Sequence, residues 1–182
     1  FAFGSPDGIR WTKIAAEPVL TKGAFDSLNI AFWDTVSKEY RAYSRYWSAG
    51  DYKGHRDIQS NRSKDFLHWD EPTPNRYQSI DSSEPPREDF YTSATTPCPG
   101  AEQVYLAFPK RFVPARKKFK DYSAPGVSDA VFMSSRDGTH WSRAFLEAWA
   151  RPGPDPRNWT QRSNMPAWGM VESDPAEFSL YI

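Results

Sequence analysis

SRDGTHW, Ser135–Trp141, is the stretch from which the fold is read. Its order is serine, one residue, Asp-Gly, two residues, tryptophan. The order recurs as SPDGIRW, Ser5–Trp11, and, with Phe in place of Gly, as SKDFLHW, Ser63–Trp69. Three copies of one seven-residue pattern mark a repeating architecture. Asp-Gly suits a tight turn, because Gly takes φ > 0 freely and Asp bonds its own backbone. The serine can cap the same turn. The Trp then begins the returning strand and is expected to be buried over the hairpin. Phe66 replaces the Gly of the other copies, so the middle turn must differ. His68 and His140 precede their Trp and take the same structural role. The three histidines fall in no ligand-spaced cluster, so no metal and no other cofactor is expected.

The copies begin 58 residues apart (Ser5 to Ser63) and then 72 (Ser63 to Ser135). That spacing is long for a solenoid and fits a propeller blade of four short strands with generous loops. LNIAFWD (Leu28–Asp34) and EYRAYSRYW (Glu39–Trp47) read as a hairpin across TVSK. HRDIQSNRS then leads into the middle motif. FYTSATT, VYLAFPKRF and SDAVFMSS repeat that order before the last motif, and SRAFLEAWA after it reads as an outer strand. The expected fold is all-β: a partial five-bladed β-propeller of four-stranded antiparallel blades. Residues 1–22 end one blade, 23–76 and 77–150 make two whole blades, and 151–182 begin another. FAFG and EFSLYI read as strand pieces at the two ends. Two full blades leave radial edges unpaired, so the remaining blades are expected from residues not in this chain.

Composition narrows the partners. Lys+Arg and Asp+Glu are both 23, so there is no basic excess of the kind nucleic-acid binding needs. No apolar run of about 18 residues suits a membrane span. The first residues carry neither a charged n-region nor a long apolar h-region, so no signal peptide is expected there. Cys98 is the single cysteine and can form no intrachain disulfide. Aromatic residues make up 16% of the chain, and such rings can stack on the apolar faces of sugars while polar tips bond hydroxyls.

The motif, the unit length and the strand order resemble the five-bladed β-propeller glycoside hydrolases, the superfamily of invertases, levansucrases, arabinanases and family 43 xylosidases. SPDGIRWTK, FDSLNIAFWD, DFYTSATTPCP, YLAFPKRF, GVSDAVFMSSRDGTHWSR and RPGPDPRNW are similar to glycosidase-like propeller proteins of planctomycetes and related bacteria. The sialidase Asp-box is a related pattern with one more residue between Asp and Gly. The resemblance covers nearly the whole chain and implies a hydrolase of plant or algal polysaccharide, extracellular or periplasmic, working by carboxylate acid/base catalysis. The alternative is a propeller that binds carbohydrate without cleaving it; a third reading is a structural propeller that holds a partner chain. A five-bladed ring of about 60 residues per blade needs roughly 300 residues, more than the 182 here.

In that superfamily the inner strands line a funnel, and hydrolysis needs two carboxylates flanking the scissile bond. The resemblance places Asp26 (GAFDSLN) and Asp89 (REDFYTS) there as catalytic candidates. Asp26 falls where the related enzymes usually carry a Glu general acid; the plainer reading is a turn-capping Asp. Asp129 reads as structural, salt-bridged to an Arg such as Arg136. Glu147 and Glu172 are lesser candidates. Arg45, Arg111 and Arg162 are candidate substrate ligands, since an Arg fork binds a carboxylate or sulfate on two prongs; salt bridging to blade carboxylates is the alternative. Arg45 and Arg111 read as similar second-strand positions of consecutive blades. Tyr91, Trp159 and Trp168 are candidates for sugar stacking, whereas Trp33 and Trp47 read as packed between blades. The basic run from Lys110 to Lys120 reads as a solvated loop. Asn61-Arg-Ser and Asn158-Trp-Thr match the glycosylation pattern. The expected partner is a carbohydrate, with the arginines suiting an acidic one.

Overall fold

The computed structural model describes residues 1–117, 120, 121, 123, 125–153 and 163–182. Among these the regular elements are all strands, and no helix is long and apolar enough to cross a membrane.

The first meander is β3 (Ile30–Asp34), β4 (Glu39–Trp47), β5 (Arg56–Ser63) and β6 (Thr73–Pro74), antiparallel and in chain order. EYRAYSRYW forms β4 over its whole length. The second meander is longer and bent. β8 (Asp89–Thr92), β11 (Lys110–Lys117) and β12 (Pro125–Ala130) form one half. β9 (Thr96–Cys98), β10 (Ala101–Ala107), β13 (Met133–Ser135) and β14 (His140–Ser142) form the other. Bonds from Phe108 N–H to Ser93 O and from Val131 N–H to Pro109 O carry the pairing across the bend. Pro109 falls there because it has no N–H to give to a ladder. β7 (Arg76–Gln78) leaves the first meander and pairs in parallel with β14, tying the two sheets together. β1 (Phe3–Gly4) with β2 (Thr12–Lys13), and β15 (Val171–Asp174) with β16 (Glu177–Ser179), are two-stranded hairpins.

The three motifs occupy like hairpins. Ser63 pairs with Trp69 and Ser135 with Trp141, and Gly4 faces Thr12 just outside the first copy. In each, one Asp oxygen accepts two backbone N–H groups: Ile9 and Arg10, Leu67 and His68, Thr139 and His140. The other oxygen meets Arg10, His68 or His140. Gly8, Phe66 and Gly138 all take positive φ, at 71°, 69° and 78°. For Phe66 that conformation costs about 1–2 kcal/mol, offset by edge contacts of its ring with Tyr40 and Trp69.

Burial of the motif Trp does not follow the motif. Trp141 is 1% exposed but Trp11 is 61% exposed. Trp141 is covered because it packs with Tyr43 into the core of Ile30, Phe32, Ile58, Phe90, Tyr105 and Met133, a cluster that among the described residues does not include Trp11. The two meanders are bolted at this point: Tyr43 Oη donates to Gly138 O at 2.9 Å and Arg41 Nη1 to Asp137 O at 2.7 Å. Asp34 receives Arg41 Nε and the Tyr105 hydroxyl.

Four other expectations are corrected. The stretch after the last motif is no outer strand; beyond β14 it runs irregularly until Ala150 bridges Ala130. The basic run begins as strand β11, with Arg111 buried. Trp33 is 43% exposed, because strand alternation turns it away from buried Phe32. Asn61 is buried with its amide on Asp70 O, which closes it to a glycan; Asn158 lies outside the described residues.

Candidate functional site

The registers of the two meanders place their residues in correspondence. The motif serine faces Tyr40 in the first (Ser63) and Tyr105 in the second (Ser135). Counting five residues on from each Tyr matches Arg45 with Lys110, not with Arg111. A one-residue slip along a strand reverses the side-chain face. Arg45 and Arg111 therefore lie on opposite faces of their sheets.

Arg45 and Lys110 meet around Tyr91. Arg45, Arg56 and Lys110 lie over the Tyr91 ring at 5.2, 4.5 and 5.1 Å from its centroid. Arg56 also covers the Trp47 ring at 4.2 Å. Asp26, in the loop before β3, accepts from Arg45 Nη2 and keeps an exposed side chain. Asp89 opens β8, accepts the Arg56 backbone N–H at 3.0 Å and faces its guanidinium at 3.6 Å. Ser27 Oγ donates to Tyr91 O at 3.0 Å, which holds the Asp26 loop against β8. Burial, and then the charge of Arg45, push the Lys110 ammonium below its ordinary range. Two buried donors at this cluster, Arg45 Nε and Trp47 Nε1, have no acceptor among the described residues. Three cations against two carboxylates leave the cluster net positive, with an aromatic floor.

Of the residues expected from sequence, this cluster gathers Asp26, Asp89, Arg45 and Tyr91. Arg111 is elsewhere. It grips Asp129 with Nε and Nη2 at 2.8 and 2.9 Å and reaches Glu88 at 2.6 Å. Asp129 also receives Arg116 at 2.6 Å, and Arg143, fully buried, binds Glu88 at 2.9 Å. Asp129 is thus structural, through Arg111 and Arg116 rather than Arg136. Trp168 stacks on Phe32 with centroids 6.3 Å apart and donates its Nε1 to Thr95 O. Glu147 pairs with Arg151 on the surface, and Glu172 is exposed on β15. Arg162 and Trp159 lie outside the described residues. Arg56, Lys110 and Trp47 were missed by sequence reasoning. Counting register from the motif serines would have found Lys110.

Among the described residues no three His, Cys, Asp or Glu side chains are grouped to hold a metal ion. Carboxylates paired with guanidinium groups over an aromatic ring bind polar, hydroxylated or anionic groups.

No protein-family model and no curated protein matches the chain. Among solved structures, an N-acetylgalactosamine deacetylase from F. plautii in complex with blood group B trisaccharide aligns with a TM-score of 0.51 at 14% identity. The alignment covers 80% of this chain and 35% of that one, so the chain matches about a third of the neighbour's length. At this identity the likeness is one of fold: the chain is an all-β protein built of antiparallel sheets that superpose on part of that structure.

Proposed function

We propose that the chain is part of a five-bladed β-propeller that recognises a carbohydrate, and that the cluster around Tyr91 is where the sugar binds. The observation that carries this reading is the convergence of Arg45, Arg56 and Lys110 on the one Tyr91 ring, beside the exposed carboxylate of Asp26. The Tyr91 ring holds the three cations in place, the carboxylates take hydroxyls, and the excess cation favours an acidic sugar. The like order and register of the two meanders support the blade reading, with the remaining blades supplied by residues outside this chain. The glycan-bound neighbour of the same fold supports a carbohydrate context. A propeller fold by itself does not fix the chemistry.

Recognition is favoured over hydrolysis at this cluster by the neighbours of its carboxylates. A glycosidase acid works from an apolar or anionic environment that keeps its proton. Asp26 and Asp89 each sit against an arginine instead. The second reading is hydrolysis outside the cell, with Asp26 working alongside a carboxylate on a blade outside this chain; the side-chain exposure of Asp26 favours it. Binding and cleavage of a panel of neutral and acidic plant and algal oligosaccharides by the intact protein test both. Binding without turnover is the expected result. Turnover that is lost in Asp26→Asn would replace recognition by hydrolysis, and no binding to any glycan would overturn both.

A further inference from the structure

On the opposite strand face from the Tyr91 cluster lies a cavity of about 680 Å³ between the first meander, β7 and the segment before β8. Its position follows from the correspondence of the meanders. Arg111 faces Asp129 across β11 and β12, and the matching pair across β4 and β5 is Tyr46 and Asp57. Asp57 and Asp129 stand at equal distances, six residues, before their motif serines. The second meander fills this place with the Arg111 guanidinium. The first has the acid and lacks the arginine.

Asp57 is left with acceptor capacity facing the cavity. Its Oδ1 receives the Tyr77 hydroxyl at 2.6 Å and the Ile58 N–H at 2.7 Å, and its Oδ2 receives no bond among the described residues. Burial pushes its carboxyl above the ordinary range, against the hydrogen bonds from Tyr77 and Ile58 and the nearby charges of Arg87 and His55. A second acceptor on the same wall is independent of this carboxylate. Asn75 is 8% exposed, and its Oδ1 has no partner among the described residues. Both remaining acceptors look for N–H or O–H donors, as a buried acceptor without one costs about 1–3 kcal/mol. Tyr46, Tyr77 and Phe90 give the cavity flat apolar walls, the last two 5.4 Å apart. The rim carries Arg76 and Arg87, both exposed and neither in a salt bridge among the described residues.

We propose that this cavity binds a small guanidinium-bearing ligand, whose guanidinium takes beside Asp57 the place that Arg111 takes beside Asp129. A planar guanidinium offers N–H groups to the Asp57 carboxylate and the Asn75 carbonyl together, and lies flat on Tyr46. A carboxylate on the same ligand meets Arg76 and Arg87 at the rim. L-arginine is therefore the probe. L-citrulline, which keeps its shape and loses the positive charge, is the control.

The test is titration of the intact protein with each compound, followed by calorimetry and by chemical-shift change. Saturable L-arginine binding is expected, with L-citrulline weaker by at least about tenfold. Asp57→Asn should weaken L-arginine by about the same factor. Tyr46→Arg places a guanidinium on the chain itself and should abolish binding. Should Tyr46→Arg not fold, Asp57→Asn and the citrulline comparison decide. Equal binding of citrulline, unchanged binding by Asp57→Asn, or no saturable binding of L-arginine overturns the proposal.

Discussion

Asp57 faces Tyr46 across β4 and β5 at the place where, in the second meander, Asp129 faces Arg111. One strand position thus holds a gripped carboxylate in one sheet and an ungripped one in the other. Asp129 is fully buried between Arg111 and Arg116. Removing one partner of such a pair leaves an uncompensated buried charge.

The two acids are therefore expected to answer differently to the same change. Asp129→Asn should cost about 3–5 kcal/mol, since Arg116 loses its carboxylate and buried Arg111 is left with Glu88, which Arg143 also uses. Asp57→Asn keeps an acceptor for the Tyr77 hydroxyl and should leave stability unchanged or raise it. Urea midpoints of the two variants check this; equal losses would mean that the correspondence has no energetic content.

Much of this arrangement is legible in the sequence, and the missing part has one cause. The motif turns, the β3–β4 hairpin and the order of strands follow from Asp-Gly turns and two-residue alternation, both local signals. The face on which Arg111 lies does not follow from its place on a second strand. It depends on register, and register is set by pairing with a strand far away in the chain. The same holds for Trp11 and Trp141, which have the same local geometry and different surroundings. Asp26, Asp89, Arg45 and Tyr91 are legible from their places on or just before the strands, and Lys110 from register counted off the motif serines, while Arg56 joins them through packing that the sequence does not display.

Trp11 and Trp141 provide a second contrast. Both begin the returning strand of a motif hairpin. Trp11 donates its Nε1 to Gly8 O at 3.1 Å, whereas the corresponding Gly138 O is taken by Tyr43 and Trp141 Nε1 has no acceptor among the described residues. Trp141→Ala should still cost about 3–5 kcal/mol, as a large-to-small change in the core. Trp11→Ala should cost less than about 1 kcal/mol, in the range of exposed sites. Thermal or urea unfolding of both variants measures the difference, and similar losses would contradict the burial argument.

Asp34 and Asp57 act on stability with opposite signs of pH dependence. At Asp34 burial opposes the charge, but hydrogen bonds from the Tyr105 hydroxyl, Ser37 and the Val36 N–H outweigh it and hold the carboxyl well below its ordinary range. Its folded pKa is thus depressed below an unfolded value of about 3.9. Its contribution is complete above that value and is lost as pH falls through the folded pKa. At Asp57 the shift is upward, so its contribution is complete below the unfolded value and is lost as pH rises through the folded one. Asp34→Asn should therefore flatten the fall in stability below about pH 4. Asp57→Asn should flatten a loss that sets in above it. Urea midpoints measured from acid to neutral pH separate the two, and an acid limb unchanged in Asp34→Asn would exclude the Asp34 network from acid unfolding.

Tyr91 is the residue on which recognition should turn. Its ring faces Arg45, Arg56 and Lys110, and its backbone carbonyl holds Ser27. Tyr91→Phe keeps the ring and the backbone bond, so glycan binding should stay within about twofold of the parent. Tyr91→Ala removes the platform and releases three cations from their common contact, each such contact being worth about 0.5–1 kcal/mol at exposed sites. Binding of an acidic oligosaccharide should then weaken by at least about tenfold, since about 1.4 kcal/mol is one decade in affinity. Raising the salt should weaken the parent's binding of the acidic sugar more than that of its neutral counterpart, because the site is net positive and partly open to solvent. Calorimetry at two ionic strengths reads both effects. Equal binding by Tyr91→Ala and the parent would move the sugar away from this cluster, and equal salt dependence for the acidic and neutral sugars would remove charge from its recognition.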